Sequence, residues 1–183
     1  MKIDRIERDF AGCRDAVVGV YRAAYSLPPY NATEESVAQF AEGWAARIQH
    51  RDFRLVLASD EDEIIGMAYG WTSEPRTYWH EKMADQLVEL AEYWLADCFA
   101  FVDIAVKPSA QGRGAGKALY SALFADLPNS TSLLYTHQSD TAAFQMYQKL
   151  GWTVLREELT LSSGKQFVLM GKRIGAVDSK AGR

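Results

Sequence analysis

The chain has 183 residues, 48% of them hydrophobic, enough for one domain that buries roughly 70% of its unfolded surface. Twenty Lys and Arg stand against 24 Asp and Glu for a formal charge of -4, which excludes a broad basic footprint for nucleic acid or an anionic membrane. Cys13 and Cys98 predict two free thiols in a reducing cytoplasm rather than a disulfide framework, the charged opening MKIDRIERDF lacks the apolar run of a secretory signal, and no stretch reaches the ~18 apolar residues of a membrane span.

Residues 2–7 alternate loosely and predict a first strand. Val17, Val20, Tyr21, Ala24 and Tyr25 then recur at helical spacing until Leu27-Pro28-Pro29 stops the helix. Thr33 suits the N-cap of a second helix with Val37, Phe40, Trp44 and Ile48 on one face and Glu34 and Glu35 in its first turn. FRLVLAS (53–59) and EIIGMAYGW (63–71) read as a hairpin across an acidic turn. From 77 to 96, Trp79, Met83, Leu87, Leu90 and Trp94 fall three or four apart, while Glu81, Asp85, Glu89 and Glu92 lie between them. This predicts one amphipathic helix whose acidic outer face is either solvated or attracts cations. FAFVDIAV (99–106) is nearly continuously apolar, as a central strand covered on both faces would be. A helix through Ala115, Leu119, Ala122 and Leu123 follows, then the strand SLLYT (132–136) and a helix through Ala143, Met146, Tyr147 and Leu150 closed by Gly151. WTVLREE and KQFVLMG are the last strands, around a Ser162-Ser163-Gly164 turn. The expectation is a single domain over residues 1–174 with a frayed tail at 175–183.

Between the central strand and the next helix lies PSAQGRGAGKA (108–118). Gly112, Gly114 and Gly116 leave main-chain N–H groups bare, which is what close approach to a phosphate requires. A nucleoside-triphosphate loop would need glycine where Gln111 stands and a hydroxyl where Ala118 stands. A dinucleotide fingerprint would need its third glycine one residue later. What remains is Gln-x-x-Gly-x-Gly at Gln111, Gly114 and Gly116.

FVDIAVKPSAQGRGAGKALYSALF (101–124), followed by DTAAFQMYQKLGW (140–152), resembles the two consecutive motifs of the GNAT-type N-acetyltransferase superfamily, and the order of elements resembles that family over most of the chain. The resemblance implies a mixed α/β fold with a mostly antiparallel central sheet of six or seven strands flanked by helices, the helix at 77–96 being an addition. It implies acetyl-CoA as acyl donor and an amine acceptor, with no metal. The N–H groups of Gln111, Gly112, Arg113, Gly114, Ala115, Gly116 and Lys117 would hold the pyrophosphate, Ile104, Ala105 and Val106 would lie along the pantetheine arm, and Asp140 and Ala143 would complete the cofactor contacts. The family's usual Asn is replaced by Asp140, which keeps a good helix cap but loses an amide donor. Arg113 and Lys117 either add charge toward the phosphates or are solvated helix residues.

By the same resemblance, Tyr147 is the general acid for the departing thiolate; standing alone it would read as a core tyrosine. Asp103 either relays the acceptor's proton, attracts its ammonium, or is a strand carboxylate paired with an Arg. Tyr25, Tyr30, Trp71, Tyr78 and Trp79 read as mostly core, with a minority lining an acceptor pocket. His50, His80 and His137 show no metal-ligand spacing with either cysteine. The implied activity is direct acetyl transfer to a primary amine, most simply on a small molecule, with a homodimer as the expected assembly. The other readings are a transferase for a longer acyl-CoA and a CoA-binding sensor or interaction module without turnover.

Overall fold

The computed structural model describes residues 1–137, 141–160 and 166–175. Seven strands appear among them: β1 (Lys2–Ile6), β2 (Arg54–Asp60), β3 (Glu63–Thr72), β4 (Cys98–Val106), β5 (Thr131–His137), β6 (Thr153–Thr160) and β7 (Gln166–Arg173). They form one sheet in the order β1-β2-β3-β4-β5-β7-β6. The pairs β1–β2, β2–β3, β5–β7 and β6–β7 are antiparallel, whereas β4 and β5 run parallel in register from Cys98↔Thr131 to Ala100↔Leu133. This is the mixed, mostly antiparallel sheet that the sequence leads one to expect.

Two compact units partition the chain, Met1–Trp71 with Val102–Asp126, and Thr72–Phe101 with the residues from Leu127 onward. In the first, the β2–β3 hairpin turns at Glu61, a non-glycine residue at φ 53, and carries a bulge at Ala58/Ser59. Helix α1 (Arg14–Tyr25) packs against α2 (Glu34–Glu42), and α6 (Ala115–Phe124) lays Ala115, Leu119, Tyr120 and Leu123 inward while packing against β1 and β2. Thr33 caps α2 as expected, accepting from the Ser36 N–H at 3.2 Å. The helix does not run on to Ile48, however. It breaks at Gly43, and a short α3 (Trp44–Arg47) follows. Arg47 explains the break: its Nη1 donates to the Phe40 carbonyl at 2.9 Å, and a side chain on residue 43 would collide with its guanidinium. Trp44 fills the core beside Phe53 and Tyr69, and its indole N–H reaches the Phe10 carbonyl at 2.9 Å, so the ring is buried without an orphaned donor.

In the second unit, the expected helix over 77–96 is three pieces: α4 (Tyr78–Leu87), a 3₁₀ turn at Val88–Leu90, and α5 (Ala91–Leu95). Val88 breaks it with φ 51 and ψ -112, far from helical values. Trp79, Met83, Leu87 and Trp94 are buried as their spacing predicts, but Leu90, in the irregular turn, is 42% exposed. Glu81, Asp85, Glu89 and Glu92 are exposed. Helix α7 (Ala142–Lys149) is capped by Thr141, whose hydroxyl accepts from the Phe144 N–H at 3.1 Å, so the capping role expected of Asp140 belongs to its neighbour. Gly151 follows at φ 82, the left-handed position that a helix C-terminus favours. Asp140 itself, the Ser162-Ser163-Gly164 turn and the tail beyond Gly175 lie outside the described residues.

Candidate active site

The apolar run of β4 carries the chain into a 3₁₀ turn at Pro108–Ala110 and then into the glycine segment. Gly112 and Gly114 sit at φ 73 and 84, which an L side chain adopts only at a cost of roughly 1–2 kcal/mol. A Cβ at either would meet no heavy atom within 4 Å. Their bareness therefore relieves no clash inside the protein; it shapes the backbone and leaves open space before it. Gly114 caps α6, and its carbonyl takes the first helical bond, from the Ala118 N–H at 3.1 Å. The N–H groups of Ala115, Gly116 and Lys117 are then first-turn donors without carbonyl partners inside the helix, at the positive end of its dipole. A left-handed glycine turn feeding a helix start is a geometry that can receive an anion. Gly116 lies within α6 and needs no special φ.

Side chains around this turn are partly committed. Gln111 Nε2 donates to the Val106 carbonyl at 3.0 Å, tying the turn back to β4. Arg113 points at Asp60, Nη2 to Oδ2 2.8 Å, so its charge is engaged by a carboxylate, whereas Lys117 is exposed. The Lys107 N–H donates to the Ile65 carbonyl of β3 at 2.8 Å. By the alternation of an extended strand, the main-chain groups of Ala105 and Asp103 face the same way, and those of Ile104 and Val106 face the opposite side. On that side the Ile104 carbonyl accepts from the Tyr25 hydroxyl at 3.1 Å and the Val106 carbonyl from Gln111.

Asp103 projects from β4 into a group of tyrosines. The Tyr25 hydroxyl donates to its Oδ1 at 2.5 Å. Burial pushes the carboxyl up to about 6, although the Tyr25 hydrogen bond, the Arg47 guanidinium through space and the Ile104 N–H all pull the other way. Its direct partner is thus a phenol and not the paired Arg that a purely structural strand carboxylate would have. Tyr25 meets Tyr21 and Tyr30 edge-on, with centroids 4.8 Å apart in both cases, and Tyr21 stacks on Phe40 at 4.0 Å. Tyr25 and Tyr30 are therefore the minority of the singled-out aromatics that stand beside a candidate site. Tyr21 was legible only as a helix-face residue, one turn before Tyr25. Chemically, a carboxyl near 6 is ionised at neutral pH yet basic enough to accept a proton in a transition state.

In the second unit, Tyr147 of α7 is 6% exposed, its ring edge-on to Phe101 at 5.8 Å and tilted against Trp152 at 6.0 Å. Ala143 lies in the first turn of α7. Trp71 and Trp79 are buried, but Tyr78, expected in the core, is 78% exposed with Lys82 over its ring. The Cys98 thiol is fully buried and pushed up to about 12, which makes it inert as a nucleophile; Cys13 is half-buried and also raised, by burial and then by Asp9. Among the described residues no three His, Cys, Asp or Glu side chains converge as a metal site, and no helix is long and apolar enough to cross a membrane.

A mixed sheet entered by two helices carries a bare glycine turn that opens a helix directly after the central strand. The chain belongs to the acetyltransferase (GNAT) family, whose sequence profile matches residues 16–152. A GCN5-like protein acetyltransferase of Mycobacterium tuberculosis is 27% identical over 121 residues, a match that covers 61% of this chain and 59% of that relative. Among solved structures, the ribosomal-protein-S18-alanine N-acetyltransferase of Escherichia coli superposes with a TM-score of 0.64 over the whole of both chains at 16% identity. An aminoglycoside 6'-N-acetyltransferase complexed with coenzyme A does so with a TM-score of 0.61 at 18% identity, covering 95% of this chain and 97% of its own. At these identities the two solved proteins share the fold with this chain.

Proposed function

We propose that the protein is an N-acetyltransferase that moves the acetyl group of acetyl-CoA directly to a primary amine in a ternary complex. The observation that carries the reading is the open left-handed turn at Gly112 and Gly114 leading into α6, inside the stretch that matches the family. Coenzyme A bears a pyrophosphate, and this turn offers it main-chain N–H donors and a helix dipole. The aminoglycoside and ribosomal-protein enzymes that share the fold are named for amine acceptors, which supports an amine here too.

In this reading the N–H groups from Gly112 to Lys117 hold the pyrophosphate, Gln111, whose own N–H donates to the Pro108 carbonyl at 3.3 Å, shapes the turn beside it, and Ile104, Ala105 and Val106 run along the pantetheine arm. The carbonyls of Ile104 and Val106 have side-chain partners and the Ile104 N–H is taken by the Asp103 carboxylate, so the strand's contribution to pantetheine amides rests on the Val106 N–H and on the second lone pairs of those carbonyls. Asp140 and Ala143 act as further cofactor contacts. Asp103 takes the proton that an ammonium must lose before its nitrogen can attack the thioester carbonyl. The C–N bond forms, the C–S bond breaks as Tyr147 gives its proton to the leaving thiolate, and the second proton on the attacking nitrogen leaves through solvent, from which the Tyr147 phenolate is reprotonated. No acyl-enzyme is needed, and the buried Cys98 offers no nucleophile for one. The test is thiol release from acetyl-CoA across a panel of primary amines. Amine-dependent release supports the transferase, and stoichiometric coenzyme A binding with no release from any amine favours a binding module instead.

A further inference from the structure

Tyr25 contacts Asp103 and is itself flanked by Tyr21 and Tyr30, an arrangement that proton transfer alone does not require. Tyr25 is the centre of it: its hydroxyl holds the carboxylate, and its ring meets Tyr21 at 64° and Tyr30 at 78°. Tyr25 therefore stands at a steep angle to each of its two neighbours, as adjoining walls of a box do, rather than stacking with them as a slab. Tyr21 is fixed from one side by parallel stacking on Phe40 at an interplanar angle of 12°, and Arg47 lies over that Phe40 ring at 4.9 Å. All three tyrosines and Asp103 are half-buried, so the group reaches solvent without being solvated. The charge of Asp103 adds to burial in raising the phenols of both Tyr21 and Tyr30, which places the carboxylate within electrostatic reach of both flanking rings.

The hydrogen-bond partners of the half-buried Asp103 carboxylate are a neutral phenol and the Ile104 N–H, with Arg47 acting only through space, and aromatic faces add negative potential of their own. Both features attract a cation, and the apolar walls select one that carries an organic stem. A metal ion would want several oxygen ligands in place of three rings. Arg47 contributes a positive field from behind Phe40, so a second positive charge on the ligand meets repulsion there and not a second carboxylate.

We propose that Tyr21, Tyr25, Tyr30 and Asp103 form an aromatic cage for the ammonium of the acceptor, which makes the acceptor an amine with one positive charge on an apolar stem. The proposal rests on the acetyl-transfer reading for its purpose, but the cage is testable without turnover. Choline has a quaternary nitrogen that cannot be acetylated, and 3,3-dimethyl-1-butanol is its uncharged counterpart of nearly the same shape. Their dissociation constants are measured by calorimetry on the wild-type protein, on Tyr30→Leu and on the near-isosteric Asp103→Asn, with thermal midpoints to show that each variant is folded. The expected result is that choline binds at least about tenfold more tightly than the alcohol, and that each substitution removes most of that preference. Equal binding of the two probes, or a preference that survives both substitutions, overturns the cage even if amines are acetylated. A choline preference that falls with both substitutions while no amine is acetylated leaves the cage standing and sinks the transferase reading. A spermidine KM well below that of phenethylamine overturns the single-charge assignment.

Discussion

Asp103→Asn offers the sharpest physical test, because the same carboxylate that is proposed to take the acceptor's proton is expected to weaken the fold. Its folded-state value of about 6 lies above the ordinary 3.8, so between those two pH values the folded protein holds a proton that the unfolded chain has released. Stability consequently falls as pH rises through that window, and the whole penalty is present above pH 6. At ~1.4 kcal/mol per pKa unit the penalty is roughly 3 kcal/mol, and partial solvent contact trims it to about 2. Asparagine keeps the shape and still accepts from Tyr25, but it has no charge to desolvate. Urea unfolding of both proteins at pH 4 and pH 8 isolates the effect, since other titrating groups cancel in the difference. The variant should be about 2 kcal/mol more stable than wild type at pH 8 and nearly equal to it at pH 4. Its kcat/KM should fall by about 10²-fold or more, without the acid limb near pH 6 that the proposal predicts for wild type. A variant that is no more stable at pH 8, or equally stabilised at both pH values, would refute the reasoning about desolvation.

Gly114→Asp puts a carboxylate where the proposed site receives the pyrophosphate, so acetyl-CoA affinity measured by calorimetry should drop by about a hundredfold or more, while the thermal midpoint falls only by the few degrees that ~1–2 kcal/mol of left-handed backbone strain costs; unchanged affinity removes the turn from the cofactor site. Tyr147→Phe keeps the ring packed between Phe101 and Trp152 and deletes only the proton, so kcat should fall about 10²-fold with acetyl-CoA affinity nearly constant, whereas a full-speed variant would assign Tyr147 to packing. Reversing the charges of Glu81 and Glu89 should raise KM for a cationic acceptor at low salt and leave acetyl-CoA binding alone if their field gathers substrate; no change in KM or in its salt dependence assigns them to plain solvation.

The strands and most helices were legible because each is written in a local pattern: the apolar run of β4, the Thr33 cap, the Gly151 stop. What the pattern hid is where a single non-local contact or backbone angle decides. Trp44 and Ile48 continue the periodicity of α2, yet the reach of Arg47 back to the Phe40 carbonyl ends the helix at Gly43. Likewise the spacing from Trp79 to Trp94 passes unchanged through Val88, where the chain leaves helical geometry. The glycine composition predicts bare backbone ahead of a helix, and the left-handed turn at Gly112 and Gly114 has that form. The tyrosine group was not legible, because it joins α1 and the loop after it to β4 across about 78 residues, and only tertiary structure brings a hydroxyl at Tyr25 to a carboxylate at Asp103. Tyr21 and Phe40 carried helix-face signals that pointed to packing, and packing is also what orients them at the site.

The central claim is that an acetyl group moves from coenzyme A to an amine nitrogen on this protein. Acetyl-CoA labelled in the acetyl carbon, incubated with the protein and primary amines of one and several charges, tests it directly when the label is followed by chromatography. The account predicts label in an N-acetylated amine, first and fastest with a singly charged amine on an apolar stem, and none with Gly114→Asp. Label that stays on coenzyme A or emerges only as free acetate, in the presence of every amine, would contradict it.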